Sequence, residues 1–450
     1  MPVKSDSSDA LSLLADLAAK AKVAGADAAD AMLVDAAALS VGCRLGKIET
    51  LERAESGVLD LRVFIGKKQA IASTTDRSRR ALDALIARTI SMAKAAPEDE
   101  FCGLASSEDI AKSWPTLEMA DDRMPDAEHL INETRIAEDA ARAVKGITNS
   151  DGAEAGASTA DITLAASNGF AGHHRRTHYS LSATVVAGDG TGMERDYDYA
   201  SRVFARDLPN AASIGKSAGE RATRKLGSRK MKTTEVPVVF DPRIAGSLLG
   251  HLSAAISVAA IARGTSFLKD SLGQKIFGDA ITITDDPHRA RGLRSHPFDG
   301  EGLLPQRRNI IDRGVLTTWL LDQRSARQLK MKSTAHASRS PGSLPSPSPS
   351  NFYLEPGAMT AVELMRDIKQ GFYVTELMGY GVNGVTGDYS RAAAGFWIEN
   401  GTIGFPVSEM TIAGNLKDMF RKLTPANDLQ FLYGIDAPTL RIENMTVAGL

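Results

Sequence analysis

The feature that most constrains the fold is a stretch from Ile244 to Ala262 that carries no formal charge and lies between two arginines. A membrane-spanning helix needs roughly 20 predominantly apolar residues. Here only seven residues are large aliphatics, and alanine, serine, glycine and His251 dilute them. Four of them recur at every fourth position from Ile244 to Ile256, which is one face of a helix. The stretch is therefore predicted to be a long buried helix of a soluble domain, with no membrane partner.

Composition and charge exclude several classes of protein. Hydrophobic residues make up 43% and charged residues 24% of the chain, which is typical of a globular protein. Lysine and arginine number 53 against 55 acidic residues, so no basic surplus indicates a nucleic-acid partner. Two cysteines, Cys43 and Cys102, are too few for a disulfide framework and are compatible with a reducing compartment. Residues 1–9 lack the pattern of an export signal, and we expect a cytoplasmic protein.

The length of 450 residues and the order of elements predict three domains, at 1–120, 121–234 and 235–450. The fold class is α+β: two N-terminal α/β units precede a larger, mostly β C-terminal domain with one long buried helix. In each N-terminal unit, helical and strand-like patterns alternate, with hairpin signals at 57–74 and at Asn168-Gly169. Helices are predicted near 9–24, 76–95, 126–147, 210–226, 244–262 and 415–422, and C-terminal strands near 236–240, 280–284, 315–321, 372–378 and 394–398. A hairpin turn at 399–401 is predicted to join the last of these strands to 402–403.

Residues 338–350 form a tract rich in proline and serine. Such a composition is typical of a flexible or polyproline-like loop with too few apolar residues to pack. Two interpretations remain open: a solvated connection, or a loop that caps the entrance of a binding cavity.

Two motifs resemble functional signatures only in part. The run from Gly379 to Gly384 matches GxGxxG, but no helical pattern follows it, so a glycine-rich turn is favoured over nucleotide binding. His173, His174 and His178 form a cluster in which His174 and His178, four residues apart, would share one face of a helix as zinc ligands do. Because the residues after them alternate like a strand, a solvated strand end is the favoured interpretation.

The sequence has neither the HExxH motif of metallopeptidases nor the GxSxG elbow of serine hydrolases. His251 is expected to be a satisfied core histidine, and His288, His296 and His336 are scattered in loops. A lone metallopeptidase with ligands such as His251, His288 or His336 is one alternative. The residues alone otherwise indicate a non-catalytic or unusual protein.

The C-terminal third resembles the TldD/TldE (PmbA) family, and within it the TldE branch. The blocks that carry the resemblance are RGTS (263–266), GVLTTWLLD (314–322), SAR (325–327), STAHA (333–337), GFWIENGTI (395–403), TIAGNL (411–416) and IENMTVAG (442–449). The hairpin within 57–74 also fits the first domain of the family. Together these blocks span most of residues 235–450.

The resemblance implies a cytosolic zinc metallopeptidase built from two kinds of chain. In TldD chains, a helix before the Gly-Thr-Ser element carries HExxxH, and a cysteine near the C-terminus is a further ligand. Those helix positions fall near Leu249, Gly250 and Ala254 here, and the cysteine region corresponds to 425–428, where no cysteine stands. We therefore expect no catalytic residue, metal ligand or cofactor in this chain, and zinc in a TldD-like partner. Gly264, Thr265 and Ser266 are candidate cavity or interface residues.

The first hypothesis is a TldE-like subunit that is active only in complex with a TldD-like catalytic subunit. The family implies unfolded peptide substrates, as in microcin-type peptide maturation and antitoxin degradation. In isolation, homodimers through the same surface are also expected. The alternative is a stand-alone binding or regulatory protein, of the DNA gyrase modulator type, without peptidase activity.

Overall fold

The computed structural model describes residues 7–449, so most of the N-terminal segment considered above for an export signal lies outside the described residues. The N-terminal half consists of helices packed on one face of a single antiparallel sheet. Its strands run β3-β2-β1-β4-β5-β6. Its elements are α1 (Ser7–Val23), β1 (Ala28–Arg44), β2 (Lys47–Ile65), β3 (Lys68–Thr74), α2 (Arg79–Ala95), α3 (Ala127–Arg142), β4 (Ile147–Ala166), β5 (Ala171–Ala187), β6 (Glu194–Arg202) and α4 (Ala211–Arg224).

One sheet joins the two N-terminal units predicted from the sequence. Strand β1 pairs with β2 on one side and with β4 on the other, so the strands of both units form one continuous sheet. Helices α1 and α2 cover the half formed by β1–β3, and α3 and α4 cover the half formed by β4–β6. The alternate residues, including Met32 and Leu164, face the other way and pack against Phe298 of the C-terminal domain.

The predicted N-terminal helices and both hairpins are confirmed, and side-chain caps fix several boundaries. Ser78 accepts a hydrogen bond at the start of α2, Asp126 at the start of α3 and Asn210 at the start of α4. Strands β1 and β6 were missing from the sequence prediction. In β1, alanine is abundant although it favours helices. The strand forms because Ala29, Ala31 and other alternate residues are buried beneath the helices.

The C-terminal domain contains the largest hydrophobic core. Its helices are α5 (Pro242–Ala255), α6 (Val258–Ala262), α7 (Gln323–Leu329), α8 (Ala361–Met365) and α9 (Leu416–Arg421). Its strands are β7 (Thr234–Phe240), β8 (Ile283–Asp286), β9 (Arg308–Asp312), β10 (Val315–Leu316), β11 (Ala337–Ser338), β12 (Ser346–Pro347), β13 (Asn351–Leu354), β14 (Gln370–Met378), β15 (Asp388–Glu399), β16 (Thr402–Asn415), β17 (Leu423–Pro425), β18 (Ile435–Asp436) and β19 (Leu440–Ala448).

Two sheets organise this domain. Strands β16-β15-β14-β7-β19 form a sheet that closes into a five-stranded barrel because β16 also pairs with β19. A second sheet has the order β10-β9-β8-β13-β18. The predicted α+β class with a β-rich C-terminal domain is confirmed. The apolar run 315–321 is a strand only over Val315–Leu316, where it pairs with β9.

The single long helix predicted over 244–262 is wrong in one respect, because the structure divides it into α5 and α6. Ser257, between them, has an extended backbone and bridges to Leu320. A residue whose backbone pairs with a neighbouring segment of chain cannot continue the helical hydrogen-bond ladder. The burial was predicted correctly, since Leu248, Leu252 and Ile256 are each no more than 1% exposed. No helix within residues 7–449 is long and apolar enough to cross a membrane.

The interpretation of residues 338–350 as a solvated connection holds only in part, because several residues of the tract are exposed but others anchor it to the rest of the chain. The side chain of Arg339 is completely buried and forms ion pairs with Asp30 and Asp60 of the N-terminal sheet. The backbone N–H of Gly342 donates to Asp60 as well, at 3.1 Å. Polar and ionic contacts hold the tract against the first half of the chain. The sequence prediction missed them because it considered only the small number of apolar residues in the tract.

Candidate functional site

Helix α5 contains the positions that the resemblance aligns with the metal-binding motif of TldD chains. Asp241 is its N-cap and accepts a hydrogen bond from the backbone N–H of Arg243 at 2.9 Å, and Pro242 occupies the first turn. One face of the helix is buried, through Leu248, Leu252 and others. Because that face packs into the core of the domain, the helix holds the remaining positions in fixed directions.

The three positions that the resemblance aligns with a metal motif carry no metal donor. Leu249 is 1% exposed and belongs to the hydrophobic core. Gly250 faces open space, and Ala254 is exposed. Zinc sites need histidine, cysteine or carboxylate ligands. The residues at these positions therefore do not fit a zinc ion, and within residues 7–449 no three such side chains are arranged to hold a metal.

His251, one residue after Gly250, lies among aromatic rings. Its ring centroid is 5.8 Å from that of Tyr389 and 6.3 Å from that of Tyr380. Its Nε2 is buried without a hydrogen-bond partner among the described residues, so the expectation of a satisfied core histidine is wrong. Burial, and then the charge of Arg391, lower the pKa of this histidine. His251 is thus neutral, and within the part of the chain that the structure describes it belongs to no group of three ligands that could hold a metal.

The Gly264-Thr-Ser element closes α6 and ties it to α5. Gly264 has a left-handed φ of 67°, and the next residue, Thr265, donates its N–H to the carbonyl of Ala260 at 2.9 Å. The buried hydroxyl of Ser266 donates to the carbonyl of Ala255 at 2.6 Å. Of the two side chains, only that of Thr265 is exposed. Ser266 therefore has a structural role, while Thr265 is available for contact.

The glycine-rich run 379–384 forms the loop between β14 and β15, and no helix follows it, as the sequence predicted. The loop is attached to the Gly-Thr-Ser element, since the N–H of Phe267 donates to the carbonyl of Gly384 at 2.8 Å. Three large apolar side chains are exposed on or beside this loop: Met378 by 44%, Tyr380 by 88% and Val385 by 57%. We call these three residues the apolar rim. The loop that carries the apolar rim lies beside Thr265, since a Cβ at Gly384 would be 3.9 Å from the carbonyl oxygen of Thr265, and Tyr380 lies beside His251 of α5.

The other predicted positions, which are residues 425–428 of the cysteine region and the loop histidines His288 and His336, lie outside α5. Pro425 is in β17, and both carboxylate oxygens of Asp428 accept hydrogen bonds from Thr439, at 2.8 and 2.7 Å. His288 has a buried Nε2 without a partner among residues 7–449. His336 is engaged at both ring nitrogens, by Asp285 and a threonine. The structure therefore does not gather His251, His288 and His336 into one site.

The histidines of β5 are on a strand, as favoured from the sequence, but the strand end is only partly solvated. His173 lies 3.2 Å from a carboxylate oxygen of Asp161. His174 has a buried Nδ1 and lines a cavity with His296 and His336, which come from loops far away in sequence. Because these histidines are far apart in sequence, their meeting in one cavity was not predicted. Their only local signal was the cluster of histidines and arginines at 173–178.

Two buried acids were also missed. Asp299 and Glu301 are 2% and 8% exposed, and burial raises the pKa of each. Glu301 accepts a hydrogen bond from the N–H of Gln323 at 2.8 Å and lies 4.0 Å from Arg62. Nothing in the local sequence distinguishes these acids from exposed ones, because their burial depends on packing between the two halves of the chain.

The chain thus combines a six-stranded N-terminal sheet covered by helices with a C-terminal domain that contains a closed barrel, and it places a capped helix pair beside a glycine-rich loop. Family models of the PmbA/TldA metallopeptidase match the chain in three parts: domain 1 at 29–93, the central domain at 121–226 and the C-terminal domain at 233–449. This chain belongs to the PmbA/TldD metallopeptidase family, as the sequence resemblance predicted.

Relatives match along nearly the full length. The metalloprotease PmbA of Escherichia coli O157:H7 is 36% identical over 425 residues, which cover 94% of this chain and 92% of the relative. A solved structure from Bacteroides thetaiotaomicron, described as a candidate modulator of DNA gyrase, has a TM-score of 0.89 and 29% identity and covers 98% of each chain. The crystal structure of TldE from Thermococcus kodakarensis has a TM-score of 0.87 over 97% of this chain and 100% of that one. At 19% identity, it shows the common fold.

Proposed function

We propose that this chain is the TldE-like, non-catalytic subunit of a two-chain zinc metallopeptidase that acts on unfolded peptides in the cytoplasm. The observation that carries the proposal is the chemistry of α5. Leu249 is used for core packing, and Gly250 and Ala254 have no donor atoms in their side chains. A hydrolytic zinc site needs about three protein ligands and a water. In this proposal, the zinc and its general base belong to a TldD-like partner chain.

The surface beside α5 supports an interface there. Tyr380 is 88% exposed, and Met378 and Val385 lie on or beside the same loop. Exposed tyrosine and methionine are enriched at protein interfaces, where they supply large contact areas. The loop is anchored to the Gly-Thr-Ser element through Phe267, so it presents these side chains from a fixed backbone. A stable interface of this kind buries on the order of 1,600 Å² in total.

Co-expression with a TldD-like chain tests the proposal. The two chains should co-purify as a heteromer, and the pair should hydrolyse unfolded peptides while this chain alone does not. In isolation, the chain should form at most homodimers through the same surface. A chain that ignores the partner at micromolar concentration, or that hydrolyses peptides alone in a chelator-sensitive manner, would contradict the proposal.

The Bacteroides relative described as a candidate gyrase modulator provides a second candidate function, a stand-alone regulatory protein. The same preparation separates the two. A direct effect of the isolated chain on gyrase supercoiling, together with no binding to the TldD-like chain, would favour this second function.

A further inference from the structure

A cavity of about 390 Å³ lies between the N-terminal sheet and the C-terminal domain, away from α5 and α6. Its apolar side is formed by Met32, Ile162, Leu164 and Phe298. Its polar side comes from β5, from the loop that follows β8 and from the proline- and serine-rich tract. The volume is within the range of about 300–1,000 Å³ that is usual for small-molecule sites.

Two arginines stand together on the polar side. Arg176 donates from Nη2 to the carbonyl of Leu293 at 2.8 Å, and Arg294 donates from Nη1 to the carbonyl of Pro349 at 3.2 Å. Neither guanidinium pairs with a carboxylate anywhere in residues 7–449, and burial lowers the pKa of both. The charge of Arg294 lowers the pKa of Arg176 further. Backbone carbonyls thus hold two adjacent positive groups in place. The charges of Asp285 and Asp436 raise the pKa of Arg294, but neither acid forms an ion pair with it among the described residues.

The acids near the cavity are engaged elsewhere. Asp299 accepts three backbone N–H bonds at 2.9–3.2 Å. Asp285 lies 3.2 Å from His336, and Asp161 lies 3.2 Å from His173. Because their oxygens already have partners, these carboxylates do not neutralise the two arginines through direct contact. An anion from outside would meet both guanidiniums with several N–H donors still unused.

His174 lies in the cavity between its apolar side and its polar side and adds a further polar group. Its ring lies edge-on to Phe298, with centroids 5.2 Å apart, and its buried Nδ1 has no partner among the described residues. Burial, and then the charges of His296 and Arg176, lower its pKa to about 3, so the ring is neutral. Gly172 permits this packing, since a Cβ there would lie 2.7 Å from the Phe298 ring. The rings of His174 and Phe298 are therefore packed in fixed positions in the wall of the cavity.

We propose that this cavity binds a small organic carboxylate with an apolar body, such as the terminal residue of a short peptide. The carboxylate would lie on Arg176 and Arg294, since guanidinium groups recognise carboxylates through paired hydrogen bonds. The apolar body would pack on Met32, Leu164 and Phe298. The site is complete within one chain and does not depend on a partner subunit.

Calorimetric titration of the full chain near neutral pH with three probes tests the proposal. N-acetyl-leucine has the carboxylate and the apolar body, N-acetyl-leucinamide lacks the charge, and inorganic phosphate lacks the apolar body. The acid should bind at least about tenfold more tightly than either of the others. Arg176→Gln and Arg294→Gln should each weaken binding of the acid about tenfold and leave the amide unchanged. Arg142→Gln, an exposed arginine at the end of α3, should have no effect.

Three results would overturn the proposal. Equal affinity for acid and amide would remove the role of the arginines, and so would an Arg176→Gln variant that binds the acid like the wild type. Tighter binding of phosphate than of the acid would indicate an inorganic anion site. No binding of any probe would exclude the site. By accessible surface Arg176 is the more exposed of the two arginines, although its guanidinium is partly desolvated, so its variant carries the test even if Arg294→Gln fails to fold.

Discussion

Nη1 of Arg339 donates a hydrogen bond to Oδ1 of Asp30 over 2.7 Å, although 309 residues separate the two in sequence. Nη2 of the same arginine bonds Oδ1 of Asp60 at 2.5 Å. All three side chains are at most 3% exposed. Arg62 forms a further ion pair with Asp30. This buried network, which we call the clamp, joins the proline- and serine-rich tract to the N-terminal sheet.

Replacing Arg339 with methionine should destabilise the protein strongly. Methionine preserves much of the volume but leaves Asp60 buried without its ionic partner. Removing one member of a buried ion pair costs about 3–5 kcal/mol. Chemical unfolding should show this loss, while the exposed control Arg366→Met should unfold like the wild type. A loss of less than about 1 kcal/mol would mean that the clamp does not hold the two halves together.

Glu301 predicts a specific dependence of stability on pH. Burial raises its pKa to about 8 from an ordinary value of 4.5; Arg62 opposes this shift and Asp299 adds to it. The folded protein keeps a proton that the unfolded chain releases. The resulting stability is fully present below the unfolded pKa and is lost as the pH rises through about 8.

Glu301→Gln cannot ionise, so it should lose less stability between about pH 6 and about pH 9 than the wild type does, by roughly 1–3 kcal/mol. Unfolding free energies measured across this range check the prediction. The exposed control Glu49→Gln should retain the pH dependence of the wild type. Parallel curves for Glu301→Gln and the wild type would show that Glu301 is already ionised at neutral pH.

Within the Gly-Thr-Ser element, Ser266 should contribute to the stability of the fold, whereas the exposed Thr265 should not. Ser266→Ala removes a buried donor to Ala255 and an acceptor for the N–H of Leu268, which should cost about 1–3 kcal/mol. Thr265→Ala, which alters an exposed side chain, should change stability by less than about 0.5 kcal/mol. Equal stabilities of the two variants in thermal unfolding would contradict this division of roles.

The apolar rim should govern binding to the partner chain. Tyr380→Asp places a charge on a side chain that is 88% exposed, so folding should be unaffected. A charge that becomes buried in an interface should weaken binding of the TldD-like chain at least about tenfold. Val362→Asp alters an exposed residue of α8 outside the rim and serves as the control. If both variants bind the partner like the wild type, the interface lies elsewhere.

Local patterns predicted much of the fold. The apolar periodicity of 244–256 identified a buried helix, because its residues lie within a few turns of each other in sequence. The same signals could not locate its end, which depends on the bridge between Ser257 and Leu320. Strand β1 was missed because its alanines favour strand only beneath α1 and α2.

The candidate site was likewise predicted only in part from the sequence. The resemblance located α5 and the Gly-Thr-Ser element, since both are short contiguous motifs. The clamp and the cavity were not predicted, because Arg339 meets Asp30, and His174 meets Phe298, only after the two halves of the chain pack together. The composition of the tract was misleading for a physical reason: one buried arginine with two carboxylates can order a segment that has few apolar residues.

The zinc content of each subunit, measured after reconstitution, mild chelator treatment and separation of the chains, tests the central proposal most directly. The α5 positions Leu249, Gly250 and Ala254 predict far less than one zinc per molecule in this chain. About one zinc per molecule is expected in the TldD-like chain, whose ligands hold the metal tightly. About one firmly bound zinc per molecule in this chain, together with chelator-sensitive peptide hydrolysis when it is alone, would contradict the account.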